Sequence, residues 1–239
     1  MILNLIFNRR IKRHVLEPYV TLITGDRGAG KSTIMALISQ QAIKEGLTVY
    51  SQYPYKGTYK IPMEERLING VKRYEVSKEW LYKTDLTDSV LLLDEVKTIW
   101  PARAYNKWTE QDEEFFNYVR KYNTRVFLAT QAYDCVDLNV RRASDETMFI
   151  TKGLFNFSHI ECSTTTIAKV ADKNTEVMGR AFKKGLRAVN WQIVEMPTGH
   201  YLFWRKPYYK DFFTNFTYCK KKSPVKHSWN EEFSEFTSD

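Results

Sequence analysis

Gly25-Asp26-Arg27-Gly28-Ala29-Gly30-Lys31-Ser32 is the stretch that decides how this chain folds. The run before it, Tyr19-Val20-Thr21-Leu22-Ile23-Thr24, alternates and is β-branched, as a strand requires. Residues 33–44 after it put Ile34, Leu37, Ile38 and Ala42 at helical spacing. Strand, glycine loop, lysine, hydroxyl and helix in that order describe a phosphate-binding P-loop. Gly25, Gly28 and Gly30 let the backbone turn tightly and aim its N–H groups at phosphate oxygens. The helix N-terminus adds partial positive charge. Lys31 is placed to reach the β- and γ-phosphates of ATP, and the Ser32 hydroxyl to hold Mg²⁺. Asp26, Arg27, Ala29 and Thr33 complete the expected nucleotide contacts. The plainer alternative is a glycine turn that happens to precede a helix.

The whole chain sets outer limits. Its 239 residues suffice for one large or two small domains with a substantial core. Hydrophobic content of 43% and charged content of 27% are those of a soluble globular protein. A net charge of +8 points to an acidic partner, nucleic acid first, though charge of this size also serves solubility alone. Three cysteines (Cys135, Cys162, Cys219) without a CxxC pair argue for a reducing compartment and against a disulfide framework. The four histidines, His14, His159, His200 and His227, are scattered, and no zinc site can be read from them. The apolar opening at residues 1–7 precedes rather than follows the basic Arg9, Arg10, Lys12 and Arg13, the wrong order for a signal peptide. It is too short to span a bilayer and is expected to pack as a first strand or helix, the alternative being a small interfacial anchor.

Beyond the loop helix, Glu45-Gly46 reads as a helix stop and 47–50 as a second strand. The loop that follows carries Tyr53, Tyr55 and Tyr59, expected to cover the sheet edge or, alternatively, to stack on a base. Residues 61–84 are expected to form one or two short helices, with Ser77-x-x-Trp80 as a start. Val90-Leu91-Leu92-Leu93 is the mark of a strand buried on both faces, and Asp94 and Glu95 follow at its C-terminal end. Beside a P-loop this reads as a Walker B element. Asp94 would position Mg²⁺ and Glu95 would orient the attacking water, unless the pair merely caps the next segment.

Thr109-x-x-Asp112 forms a capping box for a helix whose apolar face is Phe115, Phe116, Val119 and Tyr122. The buried strand at 125–130 ends at Gln131, which either senses the γ-phosphate beside Asp94 or simply closes the strand. Arg141 and Arg142 precede a fifth strand at 147–151; they are candidate fingers toward a neighbouring subunit's phosphate, or surface partners of Asp137 or Asp145. From about Gly153 short β-like runs replace helical periodicity, and Pro197-Thr198-Gly199 is expected to turn a hairpin between 191–195 and 201–204. Residues 169–184 read as polar and helix-compatible. Residues 205–226 interleave lysines with aromatics, suiting single-stranded nucleic acid, a lipid surface or a packed tail, and 231–239 are acidic. The expected domains are an ATPase core at 1–152, a small β-rich extension at 153–206, and a tail at 207–239.

Several stretches together resemble the zonula occludens toxin-like (Zot) family of filamentous-phage assembly ATPases, within the FtsK/HerA group of DNA-pumping ATPases. They are GDRGAGKS at 25–32, VYSQYP at 49–54, VLLLDEVKTIWPAR at 90–103, FNYVRKYNTRVFLATQ at 116–131 and VDLNVRR at 136–142. The resemblance implies an α/β fold with a RecA-like parallel sheet of order 5-1-4-3-2 and helices on both faces. It implies a homo-oligomeric ring, commonly hexameric, with Gln131 as sensor and an arginine donated between subunits. It implies ATP hydrolysis coupled to DNA movement, in virion extrusion or genome packaging, in the host cytoplasm, at the membrane surface or at the assembling virion. The phage assembly proteins continue into a transmembrane helix and a further domain, and neither is seen here. A capsid or membrane-embedded partner is expected in their place. Two other readings remain at this stage: a small-molecule or nucleic-acid kinase, and an adaptor that binds nucleotide without turning it over.

Overall fold

The computed structural model describes residues 2–68, 71–102, 108–170 and 190–211. Its centre is formed by β1 (Val20–Thr24), β6 (Ser89–Leu93) and β7 (Arg125–Ala129), flanked by β2 (Thr48–Ser51) and β8 (Glu146–Lys152). These five are parallel and lie in the order β8-β1-β7-β6-β2, which is the expected 5-1-4-3-2. Every residue of β1 and β6 is buried, because helices cover both faces of the sheet.

Alternation along the strands sorts the core into two layers. Ile23, Val90, Leu92, Phe127 and Ala129 face α1 (Ile2–His14) and α2 (Lys31–Lys44). Leu22, Leu91, Leu93, Val126 and Leu128 face the side of α3 (Lys78–Lys83), α4 (Glu110–Tyr118) and α5 (Leu138–Ala143). The opening segment forms a helix: Phe7 packs on Phe157 and Ile11 is fully buried, whereas Ile6 is exposed.

Two expectations are corrected. Residues 61–84 are not chiefly helical: β4 (Met63–Ile68) and β5 (Val71–Val76) pair antiparallel as a separate two-stranded sheet, and only α3 follows, capped by Ser77 as expected. The two strands are separated in sequence by Asn69-Gly70, the dipeptide most favoured between hairpin strands, and that signal outweighs the helix-forming residues around it. Nor does Pro197-Thr198-Gly199 turn a hairpin. It lies inside one strand, β10 (Asn190–Trp204), where the register against β9 (Phe157–Val170) shifts between Pro197 and Gly199. β10 is the sheet's edge, the position that tolerates proline and a bulge.

The β-rich extension continues the main sheet rather than starting another. β9 pairs antiparallel with β8, and the full order is β10-β9-β8-β1-β7-β6-β2-β3, β3 being Tyr59–Lys60. Asn8 on α1 bonds both backbone groups of Trp204, at 2.9 Å and 2.8 Å, and so ties the N-terminal helix to the extension. Residues 171–189 and 212–239, with most of the expected polar segment and the tail, lie outside the described residues. Among the described residues, no helix is long and apolar enough to cross a membrane.

Asp112 does more than cap α4. The capping box with Thr109 forms as expected, and the fully buried carboxylate also accepts from Trp100 Nε1 at 2.5 Å, from Lys78 Nζ at 2.9 Å and from the Tyr82 hydroxyl. Burial alone would raise its pKa; the bonds from Tyr82, Trp100 and Lys78 outweigh that and hold it below the usual carboxylate value. Asp112→Ala orphans these donors and should cost about 3 kcal/mol or more. A thermal melt should show a fall in Tm of about 10 °C.

His14, at the end of α1, contacts Glu17 at 2.8 Å and Glu146 at 2.7 Å. The bond to Glu146 raises its pKa above the ordinary 6.5, against the opposing effect of burial. Its folded-state pKa being raised, the stability it contributes is complete below pH 6.5 and is lost as pH rises through the raised value. Melts of His14→Gln beside the parent should show a deficit near about pH 6 that shrinks toward about pH 9.

Candidate functional site: a phosphate loop facing two strand tips

The parallel strands end at one edge, where open α/β sheets bind ligands. β1 delivers the 25–30 loop there, β6 delivers Asp94 and Glu95, and β7 delivers Gln131. Two of the loop's glycines are dictated by space. At Gly25 (φ 147°) a Cβ would lie 2.1 Å from the Ile150 carbonyl oxygen. At Gly30 (φ 116°), which caps α2, it would lie 2.8 Å from Arg205 Cδ and from Ser158 Oγ. The Thr33 N–H already donates to the Gly30 carbonyl at 3.0 Å, which leaves the N–H groups of Lys31 and Ser32 at the start of α2 available to an anion.

Lys31 Nζ donates to the carbonyls of Gly25 at 2.5 Å and Asp26 at 3.0 Å. Burial lowers its pKa, while the charges of Asp94, Glu95 and Asp26 oppose that shift and place all three carboxylates in its neighbourhood. Ser32 is hydrogen-bonded to the buried Tyr55. Tyr53 stands near Asp94 and Glu95, its pKa pushed up to about 12 by burial and by those charges. Of the three loop tyrosines, Tyr59 covers the edge of the sheet within β3, whereas Tyr53 and Tyr55 approach the site.

The two carboxylates after β6 are held differently. Asp94 Oδ1 accepts the Glu95 N–H at 2.9 Å, and its own N–H donates to Gln52 Oε1 at 2.9 Å. Burial, together with the neighbouring Glu95 charge, pushes the Asp94 carboxyl from 3.8 up to about 6, against the Glu95 N–H and Lys31. Glu95 has left-handed backbone, φ 51° and ψ 44°, a strained conformation for a non-glycine residue of the sort that clusters at functional sites. Its Oε1 accepts from Gln131 Nε2 at 2.7 Å, and its Oε2 lies 3.1 Å from Lys97 Nζ, an ion pair not aligned as a hydrogen bond. Gln131 Oε1 in turn accepts from Arg27 Nε at 3.2 Å. Arg27, Gln131 and Glu95 therefore form a chain from the glycine loop to the strand tip.

The arginines of α5 are not among these contacts. Arg141 lies over the Tyr133 ring at 5.1 Å, with its Nε buried and unpartnered, and Arg142 is exposed. Neither pairs with Asp137 or Asp145 as one reading expected. Asp137 caps the Asn139 N–H, while Asp145 accepts from the N–H groups of Tyr19 and Val20 and pairs with Arg120. Sequence reasoning assigned no roles to Gln52 and Lys97. Gln52 meets the Asp94 N–H and Lys97 the Glu95 carboxylate only because the folded sheet edge brings them there.

Two other places in the fold group cavity or ligand-type atoms. A groove of about 960 Å³ between α3 and α4 contains none of the P-loop or strand-tip residues. His14, Glu146 and Cys162 bring ligand-type atoms within 4.8 Å of one another, a grouping invisible in sequence. Both ring nitrogens of His14 are already taken by carboxylates, and burial, with Glu146 nearby, raises the pKa of the Cys162 thiol. The trio is an ion pair beside a buried thiol. Cys162 and Cys135 are both free.

The sequence model of the family described as Zonular occludens toxin (Zot) matches residues 19–154, more than half of the chain. The chain belongs to the Zot family. The matched residues run from β1 to just past β8 and so hold the glycine loop and both strand tips. A similar solved structure is the N-terminal domain of zonular occludens toxin from Neisseria meningitidis, at 17% identity, covering 81% of this chain and 98% of that one, with TM-score 0.49. Another is the genome packaging NTPase B204 from Sulfolobus turreted icosahedral virus 2 in complex with ATP-gammaS, at 18% identity, covering 57% of this chain and 76% of that one, with TM-score 0.40. No curated protein matches the sequence.

The raised Asp94 pKa has a consequence for stability. Between 3.8 and about 6 the folded chain binds a proton that the unfolded chain releases, so stability falls as pH rises through that window. Asp94→Asn should therefore raise Tm at neutral pH, by about 2–4 °C per kcal/mol relieved, with the gain vanishing below about pH 4. A lower Tm for the variant at neutral pH would show that the carboxylate's bonds outweigh its burial.

Proposed function

We propose that this chain is an ATP-hydrolysing motor that moves DNA during viral genome packaging or virion assembly. One observation carries the hydrolytic part: Glu95, at the tip of a buried strand, is held by Gln131, which is itself bonded to Arg27 of the phosphate loop. A carboxylate so placed serves as general base toward water, which a kinase does not need. Its bond to Gln131 offers a route by which phosphate in the loop reaches the base.

The roles follow from position. The loop's N–H groups and Lys31 bind the triphosphate. Ser32 and Asp94 supply hard oxygen donors suited to Mg²⁺, and a desolvated carboxylate such as Asp94 gains from a cation beside it. The metal would offset charge on the transferred phosphoryl group. Glu95, released from Lys97, takes the proton of the attacking water. Arg141 or Arg142 completes the site from a neighbouring subunit in a ring, most simply a hexamer. Membership of the Zot family, a resemblance that implies DNA movement, and the net charge of +8 agree with DNA as cargo.

Lys31→Ala should abolish ATP binding and turnover. Glu95→Gln should keep binding but lower DNA-stimulated hydrolysis by about a hundredfold or more. Phosphate release measured with and without DNA checks both, and full activity in Glu95→Gln would sink the mechanism. Negative-stain images with an ATP analogue should show rings.

A further inference from the structure

The β-rich extension, which lies beyond the family match, reaches back onto the phosphate loop. Ser158 Oγ donates to the Ala29 carbonyl, and Arg205 Nη1 donates to the Gly28 carbonyl at 2.9 Å. These two bonds turn successive loop carbonyls toward the extension. Carbonyls held outward turn the N–H groups that follow them, those of Gly30 and its successors, the other way, as a phosphate cradle requires; the Ala29 N–H closes the loop on the Asp26 carbonyl at 3.2 Å. Arg205 is buried, and its Nε donates to the Asn156 carbonyl at 3.3 Å, so its planar fork is fixed from two sides.

Past Arg205 the chain runs over the start of α2 and is anchored again. Tyr208 is fully buried, and Asp211 accepts from the Gln40 side chain and, through its carbonyl, from the Lys56 N–H at 2.9 Å. Between these anchors Tyr209 is 43% exposed, although its hydroxyl is held by Asn156 Oδ1 at 3.1 Å. Among the described residues no aromatic ring packs on it. A rigidly placed, uncovered tyrosine is the form of a stacking platform.

A cavity of about 430 Å³ lies between this segment and the loop, lined by Arg205, Tyr209 and residues from Gly28 to Thr33. Its size suits a small-molecule site. Asp94, Glu95 and Gln131 do not line it; they stand at the strand tips, where the terminal phosphate is cleaved. The cavity thus takes in Lys31 and Ser32 and extends from them to Tyr209, on the side where the sugar and base of a triphosphate seated there would lie.

The geometry points to Tyr209 as the residue that stacks on the nucleotide base, with Arg205 as the positioning residue that holds the loop beneath the phosphates. This rests on the nucleotide reading proposed above. It adds a cis wall to the site, built by the C-terminal extension of the same chain.

Dissociation constants for ADP and for inorganic pyrophosphate, measured on the full chain with Mg²⁺, separate the possibilities. Tyr209→Ala should weaken ADP by about tenfold to a hundredfold while pyrophosphate binds as before. Tyr209→Phe should keep ADP binding close to the parent's. Arg205→Lys, which loses the planar fork, should weaken both ligands together. Unchanged ADP binding in Tyr209→Ala overturns the inference, and so does equal loss of both ligands in that variant. If the parent chain binds neither ADP nor pyrophosphate, the nucleotide reading itself fails and takes this inference with it.

Discussion

The functional edge of this molecule depends on one close approach, the backbone of Gly25 against the carbonyl of Ile150. A Cβ at that point would sit 2.1 Å from the oxygen, so β1 could not leave the sheet beside β8 and turn into the loop. With hydrogen there, β1 stays in register with both neighbours up to its last residues. The loop then emerges between the tips of β7 and β8, and α2 starts where its dipole faces the strand ends. The position of Lys31 follows from this turn, and so does the reach of Arg27 to Gln131.

Around the loop, charge is arranged so that neighbouring carboxylates play unlike parts. Asp94 is desolvated and strained electrostatically, its backbone fixed from the side by Gln52. Glu95 is strained instead in its backbone, and its side chain is balanced between a neutral amide and a lysine. A cation entering the site relieves the first residue, whereas a displaced Lys97 or Gln131 frees the second. Both positions follow directly on β6, which is buried throughout.

Features that depend on contiguous residues were legible in the sequence. The four apolar residues of β6, the loop glycines, the capping box of α4 and the strand order all followed from local pattern or family resemblance. The rest is hidden where two local signals compete or where partners are far apart in sequence. Asn69-Gly70 was the first kind. The second kind includes Arg205 on Gly28 and Ser158 on Ala29, separated by 177 and 129 positions. No periodicity reports such pairs, because they exist only once β9 and β10 have joined the sheet. His14 with Glu146, 132 positions apart, is of the same sort. Pro197 misled for a different reason: it reads as a turn in isolation, yet an edge strand needs no N–H from its outward side.

That edge has a bearing on how copies of this chain can meet. A long, regular outer strand invites a second sheet to extend it, and the outcome is open-ended stacking. Here one border is β3, two residues long, and the other is β10, whose ladder is broken by Pro197 and its register shift. Neither offers an uninterrupted row of backbone groups. The main sheet is therefore protected at both borders against being lengthened by a second copy, and a chain whose sheet cannot grow sideways stays a discrete body.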